Sequence, residues 1–505
     1  MGQIKLTRSR AVAPLGRLVC NRFVPPSSPA GVLERRSPLN PDDVVVRLPF
    51  GGAEDVDDAV GAARIAARAW ADESLTERGR RLERLGDELV AREHELTLRL
   101  ERETGRPLWE CKRELQGLLE RLSHTLTHAG AALQPRLDGE ARRVELAPLG
   151  VVAVLGPAML PLATSHLQLV AALVGGNTVV WKPSPLVPAS SQLYAEAWRA
   201  AGLPPGVVNV VWGDDAVGAA LAAHDEVDAV VFTGRHDHGA ALERALAGAR
   251  PRKLVVHSGG KNAALVLGDA SLELAAYEVA TSAFLSAGQR CTALSRVIVD
   301  ASIAAPFVEL MASVCASFKI GAPRAGYFLG PLLSEARLER FLAASDGGVT
   351  EGNELVLDGG RLERPGWFVA PRVQLVKERR ADSAYQREEH FGPDLAVYTA
   401  GDLDEAIAMA NDSDYGLCAS VFSRERAALG RCVRELRAGS IMWNLGSTRP
   451  SGRLPFGGVR GSGHGGRGGS DAVRTLQREV SLQAGDGERA QIEPLPGVLE
   501  EAQAS

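Results

Sequence analysis

Long apolar runs are missing from this 505-residue chain; none reaches about 18 residues, which leaves no candidate transmembrane helix and no membrane partner. Cysteine is sparse. The six residues (Cys20, Cys111, Cys291, Cys315, Cys418, Cys432) are scattered and form no CxxC pair, which excludes a zinc knuckle or a disulfide scaffold and points to a reducing, cytoplasmic setting. Charge of one sign is also missing: 57 Lys/Arg against 62 Asp/Glu leave a net charge of −5, with no long basic or acidic block, so nothing draws the chain to nucleic acid. No repeat of 20–50 residues is visible. What remains, 45% hydrophobic and 24% charged residues, is the composition of a globular enzyme, and the length calls for two or three domains.

The start differs from the rest. Residues 1–36 hold seven Lys/Arg and one acid, Glu34. There is no apolar centre for a secretory signal, and Leu6 stands where a myristoylation pattern after Gly2 wants Ser or Thr. An Arg-rich, acid-poor start is shared with transit peptides, but residues 1–37 are read as a disordered extension.

Two helices follow, the second with charges of alternating sign along 76–104, stopped by Gly105 and Pro107. A third spans about 109–128. Its His124 and His128 are four apart, but no further ligand lies near, so they read as a helix-surface pair and no metal site is expected. From residue 149 short apolar runs at 150–155, 177–181, 207–212, 229–232, 253–256 and 263–267 alternate with helical stretches. That pattern predicts a parallel sheet with helices on both faces, of the kind that binds nucleotides at its strand ends. A second α/β unit extends to about 444, followed by a Gly-, Arg- and Ser-rich loop over 446–470.

Several short motifs carry chemistry. Cys291 follows the glycine turn Ala287-Gly288-Gln289-Arg290, where a thiol is accessible and has free backbone N–H groups beside it. His257-Ser258-Gly259-Gly260 follows a strand and suits close approach of a ligand. Phe232-Thr233-Gly234 precedes a helix whose N-terminus suits a phosphate, as does Lys182-Pro183-Ser184 at a strand end. Singly, each is also explained by a buried thiol, a tight turn or a surface lysine.

Together with the 150–157 segment, Glu389-His390-Phe391-Gly392-Pro393 and Pro455-Phe456-Gly457-Gly458, these motifs stand in the order and spacing of the aldehyde dehydrogenase superfamily, which the chain resembles over roughly residues 38–480. Gly213 and Gly218 after a strand, the turn ending at Cys291, and Ile441-Met442-Trp443-Asn444 resemble most the N-succinylglutamate 5-semialdehyde dehydrogenases. The resemblance implies an α/β fold with a Rossmann-type dinucleotide domain (38–127 and 147–256), an α/β catalytic domain (257–445), a small β oligomerisation arm with its loop (128–146 and 446–486) and a tail (487–505). It implies a homodimer or homotetramer. It also implies NAD- or NADP-dependent oxidation of a small-molecule aldehyde through a thioester on Cys291. Lys182, Ser184, Gly213, Gly218, Gly234 and Arg235 would line the nucleotide, Glu389 would hold the nicotinamide ribose, and Phe391 would pack near the ring.

Four working positions depart from the family pattern. Met159 stands where an Asn holds the oxyanion, and a thioether donates no hydrogen bond. His257 stands where the family has its general-base Glu, and is the remaining candidate base there. Pro185 replaces a Glu that would repel a 2′-phosphate, and Arg235 replaces a Ser beside the pyrophosphate, which together favour NADP. Three readings stay open: an impaired aldehyde dehydrogenase, a catalytically silent homologue with a binding or scaffold role, and a coenzyme A-acylating enzyme.

Overall fold

Five short strands, most of them valine-rich, pair in parallel to form the first sheet of the computed structural model, which describes residues 10–137, 141–321 and 326–485. Their spatial order is Val208–Val210, Thr178–Lys182, Val151–Leu155, Ala229–Thr233, Lys253–His257. Chain order therefore reverses between Val151–Leu155 and Ala229–Thr233, the switch point at which doubly wound sheets take their ligands. Val151–Leu155 and Thr178–Lys182 are buried along their whole length, because helices cover both faces. The helices Ala53–Asp72, Pro161–Val174, Pro188–Ala200 and Asp215–Ala223 join these strands in one core.

A second sheet has the order Glu354–Leu357, Arg372–Leu375, Asp394–Ala400, Leu294–Asp300, Asn262–Val266, Cys418–Phe422, Ser440–Trp443; all its pairs but the first are parallel. The chain passes between the sheets at the turn joining Lys253–His257 to Asn262–Val266. A three-stranded antiparallel sheet of Gln477–Gln483, Arg142–Pro148 and Arg136–Leu137 stands apart from both. Within the loop over 446–470, Gly463–His464 adds to the edge of the first sheet, and Pro455–Phe456 pairs with Gly468–Gly469.

The expected disordered extension is corrected over residues 10–37. Arg17–Val19 is a strand of the first sheet, antiparallel to Val208–Val210, and Arg22–Val24 pairs beside it. Pro29–Ser37 forms a long hairpin with Asn40–Gly51. Two of the basic residues are spent on internal partners. Arg17 is buried against Asp55 (3.3 Å) and Asp58 (2.8 Å), and Arg35 donates to the Glu103 and Leu333 carbonyls. Leu18 is fully buried, and Trp212 donates its indole N–H to the Gly16 carbonyl at 2.7 Å. Residues 1–9 and the tail beyond 485 lie outside the described residues.

Asn177 ties the first sheet to the C-terminal arm. Its Oδ1 accepts from the Leu149 and Gly150 amides (2.7 and 3.0 Å), while its Nδ2 donates to the Ala172 and Leu476 carbonyls (3.1 and 3.0 Å). Asn177→Ala would strand two amides and is expected to cost about 3 kcal/mol. A lowered urea midpoint would register it; an unchanged midpoint would count against this accounting.

Candidate active site

The cysteine turn runs against ordinary backbone preference. After the helix Leu272–Phe284, Ser286, Ala287 and Gly288 all have positive φ (58°, 54° and 70°), and two of the three are not glycine. Left-handed non-glycine residues cost about 1–2 kcal/mol each, so surrounding contacts must impose the turn. Buried Glu110 accepts from Ser286 Oγ and from Arg290 Nη2 (2.9 Å), and Arg290 Nε donates to Ser286 Oγ (2.8 Å). Gln289 Oε1 accepts from the Leu333 amide at 2.9 Å. At Gly288 a Cβ would lie 2.2 Å from the Gly392 carbonyl, so only glycine lets the turn dock on the loop after Glu389.

Asn262 holds the other side of the turn. Its Nδ2 donates to the carbonyls of Cys291 (2.7 Å) and Ala293 (2.8 Å), and its Oδ1 accepts from the Cys418 amide (3.0 Å). Cys291 itself is half-buried beside Leu417, Cys418, Met442 and Phe456. Desolvation, and then the negative charge of Glu389, push its thiol up to about 11. Arg290 and the amides of Thr292 and Cys291 pull in the opposite direction, and those amides are the donors available to an oxyanion.

Met159 is buried with Ala158 and Leu333, with Leu186 and Phe391 packed against them, so it stands in an apolar wall. The next residue, Leu160, has φ 47° and precedes the helix Pro161–Val174. Glu114 Oε1 accepts from the Leu162 and Ala163 amides (3.0 and 2.9 Å) at that helix's N-terminus, where a carboxylate complements the dipole. Arg106 joins Glu110 and Glu114, so one buried cluster holds both the cysteine turn and the Met159 segment.

His257 and Glu389 occupy the turn between the sheets. His257 ends its strand, and its ring has no hydrogen bond among the described residues; desolvation drops it to about 4, so it is neutral near pH 7. Glu389 Oε1 accepts from the Gly260 amide at 3.1 Å. A Cβ at Gly259 would fall 2.1 Å from both Glu389 carboxylate oxygens, which explains the paired glycines. Desolvation pushes Glu389 up to about 7 against the pull of the Gly260 amide, Arg235, Lys261 and Arg337.

The other nucleotide candidates gather at the carboxyl ends of the first sheet. Lys182 ends its strand with its side chain alongside Gly218, where a Cβ would touch Cδ and Cε at 3.5 Å. Its buried ammonium has no hydrogen bond among the described residues, and desolvation brings it down to about 8 against the pull of Asp215 and Asp214. Ser184 Oγ accepts from the Leu186 amide at 3.3 Å, in the loop that leads to helix Pro188–Ala200. Gly213 allows Val217 to pack against the backbone, and Gly234 donates its amide to the His257 carbonyl at 3.1 Å. A buried, unpartnered ammonium beside a glycine cradle fits the ribose and phosphate oxygens of a dinucleotide. Arg235 is different: it forks onto Asp237 (2.8 and 2.7 Å), which neutralises much of the charge that the sequence offers there. Phe391, φ 54°, faces Met159 on one side and the Arg337 guanidinium, 5.1 Å from its ring centre, on the other. Among the described residues no three His, Cys, Asp or Glu gather to hold a metal ion.

Sequence reading missed Asn262 as a clamp and Glu110, Glu114 and Arg106 as a buried cluster. The available signal was their i, i+4, i+8 spacing, which on charged residues reads as a solvated face.

A doubly wound parallel sheet with its switch point between Val151–Leu155 and Ala229–Thr233, followed by a second α/β sheet that carries a thiol on a strained turn, is the architecture of dinucleotide-linked aldehyde oxidoreductases. The chain matches the aldehyde dehydrogenase family over residues 23–480 and belongs to it; the family's enzymes are oxidoreductases acting on aldehydes. It is 36% identical over 433 residues to N-succinylglutamate 5-semialdehyde dehydrogenase 1 of Caulobacter vibrioides, covering 84% of this chain and 90% of that protein. With N-succinylglutamate 5-semialdehyde dehydrogenase of Chromobacterium violaceum the identity is 37% over 420 residues, 82% and 85% of the two chains. Among solved structures it superposes on an NAD-dependent aldehyde dehydrogenase from Sinorhizobium meliloti with TM-score 0.91 and 32% identity, covering 96% and 97% of the two chains. Aldehyde dehydrogenase C from Pseudomonas syringae, a cysteine-to-alanine mutant in complex with NAD+ and octanal, gives TM-score 0.88 at 30% identity, covering 92% and 96%.

Alkylation tests the electrostatics of the turn. With Cys291 up at about 11, its carbamidomethylation in the free protein is expected to be slow at pH 7 and to climb towards pH 11, followed on its own peptide by mass spectrometry. The Glu389 carboxylate disfavours the thiolate, so Glu389→Gln is expected to speed the reaction at pH 8–9. A slower reaction in the variant would reverse the assigned sign.

Proposed function

We propose that this chain oxidises an aldehyde, of the semialdehyde class exemplified by succinylglutamate semialdehyde, to its acid through a thioester on Cys291, more slowly than its relatives. The observation that carries this reading is the strained turn that Glu110, Arg290 and Asn262 hold around Cys291, a costly construction that a merely buried thiol does not need. The names of the relatives at 36–37% identity support the semialdehyde.

The Cys291 sulfur adds to the aldehyde carbon, and the carbonyl oxygen takes the negative charge. The amides of Cys291 and Thr292 accept that charge alone, since Met159 has no hydrogen to donate. Lys182, Ser184, Gly213, Gly218 and Gly234 would hold the dinucleotide, with Glu389 and Phe391 towards its nicotinamide end. The bound dinucleotide supplies the hydride acceptor. Water then releases the acid from Cys291.

Of the two dinucleotides, NADP is the better tolerated, because Pro185 brings no carboxylate against a 2′-phosphate and Lys182 lies near. Arg235 adds to this only if Asp237 releases it. Calorimetric titration is expected to show tighter NADP⁺ than NAD⁺ binding, lost in Lys182→Ala; tighter NAD⁺ binding would reject the preference. Aldehyde-dependent formation of reduced nicotinamide should vanish in Cys291→Ala, and turnover that survives the substitution would remove the cysteine mechanism.

Met159 and His257 favour a second reading, a silent homologue kept for binding or assembly, and a coenzyme A-acylating enzyme is distinguished by an absolute need for coenzyme A. Met159→Asn separates a slow enzyme from a silent one. Restoring the side-chain donor is expected to raise kcat about 10²-fold; no gain over an inactive parent would favour the silent homologue. The edge strand Gln477–Gln483, paired within the chain to Arg142–Pro148, would pair between copies in a homodimer or homotetramer. A cytoplasmic location fits six free thiols, and no helix among the described residues is long and apolar enough to cross a membrane.

A further inference from the structure

We propose that Glu389 is the general base that activates water to hydrolyse the Cys291 thioester, in place of the carboxylate that His257 has replaced. This rests on the thioester reading given above and names the group that completes it.

Three observations place the carboxylate. Glu389 Oε1 sits on the Gly260 amide at 3.1 Å, over Gly259, in the turn that begins at His257. The loop that carries Glu389 touches the cysteine turn, with Gly392 against Gly288. Asn262, which holds the Cys291 carbonyl at 2.7 Å, stands two residues beyond the Gly260 amide on which Glu389 rests. The carboxylate is also free of ion pairs among the described residues. Arg235 is taken by Asp237, and Arg337 lies over the Phe391 ring. An unengaged carboxylate can accept a proton, whereas one locked to a guanidinium is a poor base.

Proton affinity agrees with this placement. Glu389, raised to about 7, matches the neutral pH at which a base works best, whereas His257, lowered to about 4, gains little by taking a proton. In the step itself Glu389 removes a proton from water as the water oxygen bonds to the thioester carbon. The carbon–sulfur bond then breaks, its electron pair stays on sulfur, and the proton passes from Glu389 to Cys291. Thioester and water become carboxylic acid and thiol, with no oxidant required.

A p-nitrophenyl ester isolates this step, because acylation and hydrolysis at Cys291 need no dinucleotide. In the wild-type protein a nitrophenolate burst should precede a steady rate that rises with pH through about 7. Glu389→Gln should keep the burst, slow the steady rate about 10²-fold or more and flatten its pH profile, with the acylated Cys291 peptide accumulating. Glu389→Asp should recover part of the rate with a displaced inflection, and it decides the matter if the Gln variant fails to fold. Wild-type deacylation in Glu389→Gln, or an inflection that persists there and disappears in His257→Gln, would overturn the assignment while leaving the thioester intact. Absence of any acyl group on Cys291 in the wild-type protein would overturn both.

Discussion

The buried carboxylate of Glu110 is the constraint on which the site depends. Burial alone would push it up, but Arg290, Arg106 and the Ser286 hydroxyl outweigh burial and hold it below the usual carboxylate range. Through Ser286 and Arg290 it fixes a backbone that would otherwise relax to right-handed geometry, and Cys291 is the next residue. Through Arg106 it is linked to Glu114, which seats the helix following Met159. Breaking such a buried pair costs about 3–5 kcal/mol, more than the strain the turn stores at one residue. The cluster therefore sets the position of Cys291 relative to the Met159 segment from behind.

On the front of the candidate site stand three different side chains. Met159 presents an apolar thioether, His257 a neutral imidazole, and Glu389 a carboxyl group raised by burial. Burial, and then the charge of Glu389, raise the Cys291 thiol and keep it protonated, and protonation of Glu389 eases that restraint. The same carboxylate thus restrains attack before acylation and, as proposed, serves hydrolysis after it.

Much of the fold was legible because parallel strands buried on both faces must be continuous apolar runs, as at Val151–Leu155. The start of the chain was not. Arg17 and Arg35 look like solvent residues until Asp55, Asp58 and the Glu103 carbonyl, far along the sequence, are folded around them. Within the candidate site, Cys291, Lys182 and Glu389 were singled out by motif order rather than by their immediate neighbours. Asn262 was not, because a clamp on three backbone groups leaves no periodicity to read. Arg235 shows the limit of reading charge from sequence, since Asp237 two residues on consumes the guanidinium that suggested a phosphate.

That Cys291 is the covalent centre is tested most directly by quenching the protein with acid after brief exposure to a semialdehyde and NADP⁺ or NAD⁺, then mapping acyl groups by peptide mass spectrometry. The account predicts an acyl thioester on the Cys291 peptide, dependent on dinucleotide and absent from Cys418 and Cys20. An unmodified Cys291 under conditions where dinucleotide is bound, or acylation spread over the other cysteines, would contradict it.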